Sequence, residues 1–176
     1  MGRRMTSEGY ATISAEIAFL WEEERPRIVE EVYEAAQLGD RSENAAYIYG
    51  KKRLREIDSR LNFLRRQTEN VQVIDLSQQR QRDTVDFGAL VTLLNVSDDA
   101  PEDIEPVVYR IVDQMESDPA QNKLSIQSPL GRALMGKQIE DDVNLSLPKG
   151  HVIYEILNIQ YGPESLNSEN RSNETE

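Results

Sequence analysis

Between Tyr47 and Val71 apolar residues recur every three and four positions: Tyr47, Leu54, Ile57, Leu61, Leu64 and Val71. Gly50 and Thr68 occupy the two remaining register places. A heptad seam of this length is a coiled-coil signature. Upstream, Tyr10, Ile13, Ile17, Leu20 or Trp21, Ile28, Val32 and Ala35 form a second helical stripe. Only Leu38-Gly39-Asp40-Arg41-Ser42-Glu43-Asn44 separates the two. Gly39 tolerates positive φ where a helix stops, and Asp40 to Glu43 has the spacing of a capping box that opens the next helix. Two long helices joined so briefly must fold back antiparallel. Pro26 removes one backbone donor inside the first stripe, which predicts a kink or a break there.

Charge supports the pairing. Residues 8–36 contain eight acids and two bases, whereas residues 44–66 contain seven bases and two acids. An acidic helix beside a basic one is mutually attractive, although each exposed pair contributes only about 0–1 kcal/mol. A helix of 28 residues would span about 42 Å, so the hairpin tip stands far from its base.

The period changes near residue 76. The stretch Gln78–Asp83 holds no apolar residue and reads as a linker. Beyond it come short alternating runs with turn signals: Val85–Leu94, Val107–Val112, Leu124–Gln127, Val143–Leu147 and Val152–Gln160. Pro148-Lys149-Gly150 is a turn between the last two, and Pro129–Met135 suits a short helix with proline at an early position. The expected organisation is a helical hairpin over 1–77, a linker over 78–83 and a small, mostly antiparallel sheet domain of α+β type over 84–162. The tail over 163–176 lacks apolar periodicity and is expected to be disordered.

Composition narrows the chemistry. At 176 residues, size allows one domain or two small ones. The absence of cysteine excludes disulfides, thiolate metal sites and cysteine nucleophiles, and the single histidine, His151, excludes a histidine metal cluster. No apolar run approaches the roughly 20 residues of a membrane span and no signal peptide is evident, so a soluble cytoplasmic protein is expected, with no membrane partner. A formal net charge of -12 argues against free duplex DNA binding, which depends on phosphate neutralisation.

Two groups of residues stand out. Asp40 and Glu43 place two carboxylates at the hairpin tip. Magnesium takes oxygen ligands, often one or two carboxylates with several waters retained, so this pair could complete a site that a partner supplies. The same two residues could serve only as helix caps. Lys51, Lys52, Arg53 and Arg55 form a basic cluster behind the tip. It could hold a phosphate backbone, or it could merely pair with the acidic helix and solvate the coil. Ser42 reads as a turn or cap residue, Trp21 as core, and His151 as having no role beyond packing or solvent contact.

The segment Leu38-Gly39-Asp40-Arg41-Ser42-Glu43-Asn44-Ala45 resembles the coiled-coil tip of the Gre transcript-cleavage factors, the GreB branch in particular. Glu8-Gly9-Tyr10, Leu20-Trp21 with Glu23-Glu24-Arg25-Pro26, and Lys51-Lys52-Arg53-Leu54-Arg55-Glu56-Ile57-Asp58 share the likeness. In the second unit so do Phe87-Gly88-Ala89, Tyr109-Arg110-Ile111-Val112, Ser128-Pro129-Leu130-Gly131-Arg132-Ala133-Leu134 and Tyr154-Glu155-Ile156. The resemblance implies an antiparallel coiled coil followed by an FKBP-like domain. It also implies a monomer that binds bacterial RNA polymerase at the rim of its secondary channel through the second domain, with Ser128, Pro129 and Arg132 in the matching motif. The tip would then reach the polymerase active site. There Asp40 and Glu43 would hold a magnesium ion jointly with the polymerase, none being bound tightly by the isolated protein. The basic residues Lys51, Lys52, Arg53 and Arg55 would contact the extruded 3′ end of backtracked RNA, which the polymerase itself hydrolyses. The factor would act in trans and not as an enzyme alone.

Two positions depart from the resembled pattern. Ala46 stands where a third acid is usual, which would weaken metal binding or water positioning, and Gln127 stands where an acid is frequent. A relative that occupies the channel and inhibits without cleaving is therefore a rival reading. An FKBP-type prolyl isomerase is another, but it needs a largely aromatic pocket, and past residue 84 the aromatics are only Phe87, Tyr109, Tyr154 and Tyr161. A plain coiled-coil adaptor is the third.

Overall fold

The structure is a computed structural model that describes residues 2–38, 44–98, 100, 101, 103–147 and 150–162. Two compact units emerge: residues 2–3 with 7–72, and residues 4–6 with 73 onward. The α+β class holds, with a long helical hairpin in the first unit and a curled β-sheet in the second.

In the first unit, helix α1 (Ser7–Ala18) passes through a π-helical turn (Phe19–Glu24) into α2 (Arg25–Gln37). The backbone stays in the right-handed helical region across both junctions, at Ala18 and at Glu24 and Arg25. Pro26 therefore causes no break. The π turn accommodates it: the Arg25 amide donates five residues back, to the Leu20 carbonyl, and Pro26 takes an early position of α2, where a missing N–H matters least. The buried residues record the same extra residue. Ile13, Leu20, Ile28 and Ala35 are spaced by seven, eight and seven, so the wide turn returns the stripe to its seam.

Helix α3 (Ala45–Thr68) supplies the opposing seam through Gly50, Ile57, Leu61 and Leu64, all buried. Tyr47, Leu54 and Thr68 are half-buried beside them. Val71 lies past the helix end, which Glu69 caps in an extended conformation and Asn70 follows at φ 55°; the seam stops at Thr68. The helices are antiparallel, with ion pairs from Arg53 to Glu24 (2.6 Å), Arg25 to Asp58 (2.8 Å) and Arg60 to Glu16 (2.6 Å). Trp21 is not core. It is 50% exposed, with the guanidinium groups of Arg25 and Arg65 at 5.6 and 4.9 Å from its ring centroid.

The second unit contains an element that the sequence pattern does not announce. Strand β1 (Arg4–Thr6) pairs with β2 (Gln72–Ile74) in a two-stranded sheet. Met5 is fully buried, and Arg4 holds Asp86 with two hydrogen bonds of 2.9 and 2.7 Å while lying over the Phe87 ring. The main sheet has the order β5-β4-β3-β7-β6, from β3 (Leu90–Asn95), β4 (Val107–Val112), β5 (Lys123–Ser125), β6 (Asp142–Leu147) and β7 (Gly150–Gln160). All its pairings are antiparallel except β4 with β5, which is parallel. Val91, Leu93, Ile111, Val143, Ile156 and Ile159 form its core with Leu134 of the short helix α4 (Pro129–Leu134).

The strand expected from Val85 begins only at Leu90. Gly88 adopts φ +86°, outside extended geometry, so Val85, Phe87 and Ala89 are buried from a loop. The strand expected over Leu124–Gln127 ends at Ser125, whose carbonyl accepts the Ser128 amide and turns the chain into α4. Leu147 pairs with Gly150. The rest of the expected turn, Pro148 and Lys149, and the tail beyond residue 162 lie outside the described residues.

Candidate nucleic-acid interface on the hairpin

Asp40 and Glu43 lie outside the described residues, but their flanks fix one point. Helix α3 is not opened by the Asp40–Glu43 box. Its N-cap is Asn44, in an extended conformation, whose Oδ1 accepts the Tyr47 amide at 3.1 Å. The same side chain reaches across the hairpin, Nδ2 donating to the Ala35 carbonyl at 2.7 Å. One residue thus satisfies a free amide at the start of α3 and gives a second donor to the Ala35 carbonyl near the end of α2, which also accepts the Leu38 amide at 3.2 Å. The sequence carried a signal for it, since asparagine ranks among the best N-caps, but the Asp40–Glu43 spacing masked it.

Behind this neck the basic cluster divides. Arg53 turns toward the π-helical turn, where Glu24 accepts from both Nε (3.1 Å) and Nη2 (2.6 Å), while Glu56 of α3 itself accepts from Nη1 at 3.3 Å. The Glu24 hydrogen bond raises the Arg53 pKa further above its ordinary range. Lys51, Lys52 and Arg55 differ: Lys51 and Arg55 are exposed, as is Lys52, and none has an ion pair among the described residues. Lys52 and Arg55 line one shallow groove on α3. Ala46 is exposed in the first turn of the same helix.

In the second unit Ser128 caps α4, its Oγ accepting the Gly131 amide at 3.0 Å, and Pro129 takes the first turn. Arg132 is exposed and donates to the Gln127 carbonyl at 2.8 Å, so these three residues share one end of one helix. His151 is exposed, its Nδ1 3.1 Å from the Ser146 hydroxyl. Among the described residues, no group of three or more histidine, cysteine, aspartate or glutamate side chains converges on a point. Among the same residues, no helix is long and apolar enough to cross a membrane.

Comparison with known proteins decides the family. A model described as "Transcription elongation factor, N-terminal" matches residues 3–73, and one described as "Transcription elongation factor, GreA/GreB, C-term" matches residues 79–161. The chain belongs to the GreA/GreB family of transcription elongation factors. It is 46% identical to the transcription elongation factor GreB of Yersinia pestis over 90% of this chain and 89% of that one. The GreB of Pseudomonas aeruginosa is also 46% identical, over 90% of each chain. Among GreA sequences, that of Nitratiruptor sp. is 42% identical over 90% of this chain and 93% of its own. The crystal structure of GreA factor homolog 1 from Thermus thermophilus aligns at 19% identity over 91% and 99% of the two chains, with a TM-score of 0.40. Membership of the GreA/GreB family rests on the sequence matches.

Proposed function

We propose that this elongation factor stimulates, in trans, the hydrolysis by RNA polymerase of the 3′ end of backtracked RNA. The hairpin enters the secondary channel, and the tip carboxylates of Asp40 and Glu43 complete a magnesium site in the polymerase active centre. The α4 end carrying Ser128, Pro129 and Arg132 contributes to docking at the channel rim. One observation carries the reading: Asn44 performs the capping of α3, so Asp40 and Glu43 are not required for it.

The donor chemistry fits magnesium. Two carboxylates supply hard oxygen ligands and leave room for water and partner ligands, whereas the chain has no cysteine and one histidine. When bound, magnesium lowers the pKa of water and stabilises charge on the displaced oxygen. Asp40 and Glu43 would hold the ion, while Lys51, Lys52 and Arg55 neutralise RNA phosphates behind the tip. Arg53, paired with Glu24, chiefly joins the helices. Two carboxylates are too few for a tight site, which accounts for action in trans.

The test is cleavage of a stalled, backtracked elongation complex. Asp40→Ala and Glu43→Ala should each slow RNA shortening by about ten-fold or more, as removal of groups that support a metal does, without loss of polymerase binding. Equal shortening by wild type and both variants sinks the proposal. Exposed Ala46, at the usual place of a third acid, favours a second reading in which the factor occupies the channel and inhibits. In that case the wild type itself fails to shorten the RNA.

A further inference from the structure

The seam divides the hairpin into two flanks. Arg53 and Arg60 stand one residue before the seam residues Leu54 and Leu61, and on that flank they pair with Glu24 and Glu16. The other flank holds the residues one past the seam. Before the tip these are Trp21 after Leu20, Val29 after Ile28 and Tyr33 after Val32; in α3 they include Ile48 after Tyr47, Asp58 after Ile57 and Arg65 after Leu64. The Arg25–Asp58 ion pair and the approach of Arg65 to the Trp21 ring both cross between the helices on this side, so the two helices present one face. Trp21, Arg25, Val29 and Tyr33 follow at intervals of four, which makes a ridge about 18 Å long at 1.5 Å per residue. Along it Val29 is 42% exposed and Tyr33 66%, and across from it Ile48 is 53% exposed.

Solvation alone needs none of these apolar side chains. Tryptophan, tyrosine and arginine together are instead the composition of a protein interface, and they are the residues that carry most of its binding energy. Charge sets the chemistry of the occupant. Arg65 is exposed, lies 4.9 Å from the Trp21 ring centroid and has no ion pair among the described residues. A guanidinium held against a ring keeps its fork of donors for a carboxylate. Lys51 and Arg55, one past Gly50 and Leu54, border the same flank, so its bases outnumber the single acid Asp58. A nucleic-acid strand fits this face less well. Two guanidinium groups already engage the Trp21 ring, and Val29 and Ile48 present no plane on which a base stacks. We propose that this flank is a protein-docking face along which an acidic amphipathic helix of RNA polymerase lies, its apolar side on Val29, Tyr33 and Ile48 and a carboxylate on Arg65. The docking rests on the proposed entry of the hairpin into the polymerase and assigns the surface that meets protein there.

The experiment uses the full chain with purified bacterial RNA polymerase, both as core enzyme without nucleic acid and as a backtracked complex. Tyr33→Ser and Arg65→Ala should each weaken binding to both by about ten-fold or more, as truncation of an interface anchor does, with helix content unchanged by circular dichroism. Glu30→Gln, on the outward face of α2, should bind as wild type does. A benzophenone photocrosslinker in place of Tyr33 should join the chain to polymerase protein, at a helix that carries aspartate or glutamate. A loss confined to the backtracked complex, or a crosslink to RNA, overturns the protein docking and makes the flank a nucleic-acid face. Unchanged affinity of both variants for the core enzyme overturns it outright. RNA shortening reads the proposed function separately: if wild type binds the core enzyme through Tyr33 and Arg65 yet shortens no RNA, the proposed function fails and the docking stands.

Discussion

Gly50 of α3 lies against Val32 of α2, and Gly50→Ala tests the geometry of the hairpin near its working end. A Cβ built there falls 2.4 Å from Val32 Cγ2, but 3.7 Å from Val32 Cβ and 3.9 Å from its Cα. The conflict is therefore with one methyl group and not with the backbone. In an exposed helix the substitution would stabilise by about 1 kcal/mol through propensity. Here Val32 must respond, and a β-branched residue in a helix has one strongly preferred rotamer. Turning it off that rotamer costs about 0.5–1.5 kcal/mol, and letting the helices part instead costs about 1–3 kcal/mol in packing. The cheaper response offsets the propensity gain, so the net expectation is no stabilisation, to within about 0.5 kcal/mol.

The gain returns when the methyl is removed. In a Val32→Ala background the new Cβ has no atom closer than an ordinary contact at Val32 Cβ, so Gly50→Ala should stabilise by about 1 kcal/mol. The two backgrounds differ by about 1 kcal/mol, above the additivity error of about 0.3–0.5 kcal/mol for distant sites. Urea unfolding followed by tryptophan fluorescence reads the hairpin selectively, because the single tryptophan, Trp21, lies within it. If Gly50→Ala stabilises the Val32 protein as much as the Val32→Ala protein, the close approach is not what fixes glycine at this position.

Two further outcomes are expected. Asn44→Ala removes the cap to Tyr47 and the bond to Ala35, about 1 kcal/mol each. Amide exchange at Tyr47 should accelerate and RNA cleavage should fall, with Asn44→Asp recovering the cap alone; unchanged exchange in Asn44→Ala would remove Asn44 from the neck. Asp86 titrates below its ordinary value of 3.8 because Arg4 hydrogen-bonds its carboxylate. A lowered folded-state pKa stabilises above the unfolded value and loses that stabilisation as pH falls toward the folded one. Asp86→Asn should therefore lower the urea midpoint at neutral pH, by an amount that shrinks below about pH 3.8; a difference independent of pH contradicts the Arg4 clasp.

What the sequence shows follows from how local each signal is. The α3 seam is legible because Gly50, Ile57, Leu61 and Leu64 form a local repeat, and the buried residues are those. The seven-eight-seven spacing of Ile13, Leu20, Ile28 and Ala35 also lies in the sequence. Proline tends to be read as a break, however, and the wide turn that absorbs Pro26 needs the spacing and the proline taken together. Strand β1 is different in kind. Three residues have no period, and the strand forms only by pairing with β2, far along the chain. Gly88 looked like a strand residue because its flanks, Val85 to Leu94, are apolar, while its positive φ is a tertiary outcome. At the site, the four neighbouring bases read as one patch, but the helix phase separates Arg53, turned toward Glu24, from Lys52 and Arg55 on the outward face.

That phase changes what the net charge of -12 implies. An exposed ion pair contributes about 0–1 kcal/mol, so the seam would hold the hairpin together with acids and bases scattered over both helices. They are not scattered. Glu22, Glu23, Glu30 and Glu34 are exposed on one side of the rod, and Lys52, Arg55 and Arg66 on the other. Of the interhelical pairs, Arg53 with Glu24 and Arg60 with Glu16 consume bases that flank the seam, which leaves the cations farthest from it without an ion pair among the described residues. Screening over about 8 Å at physiological salt makes such a face electropositive to a chain lying along it, whatever the formal total. Segregation of this kind adds little to folding and much to binding a polyanion on one side. A net acidic chain with an unpaired basic face should therefore ignore free duplex DNA yet hold a single strand delivered along α3. A charge-reversed set, Lys52→Glu with Arg55→Glu, should leave helix content unchanged by circular dichroism while slowing cleavage of the backtracked RNA.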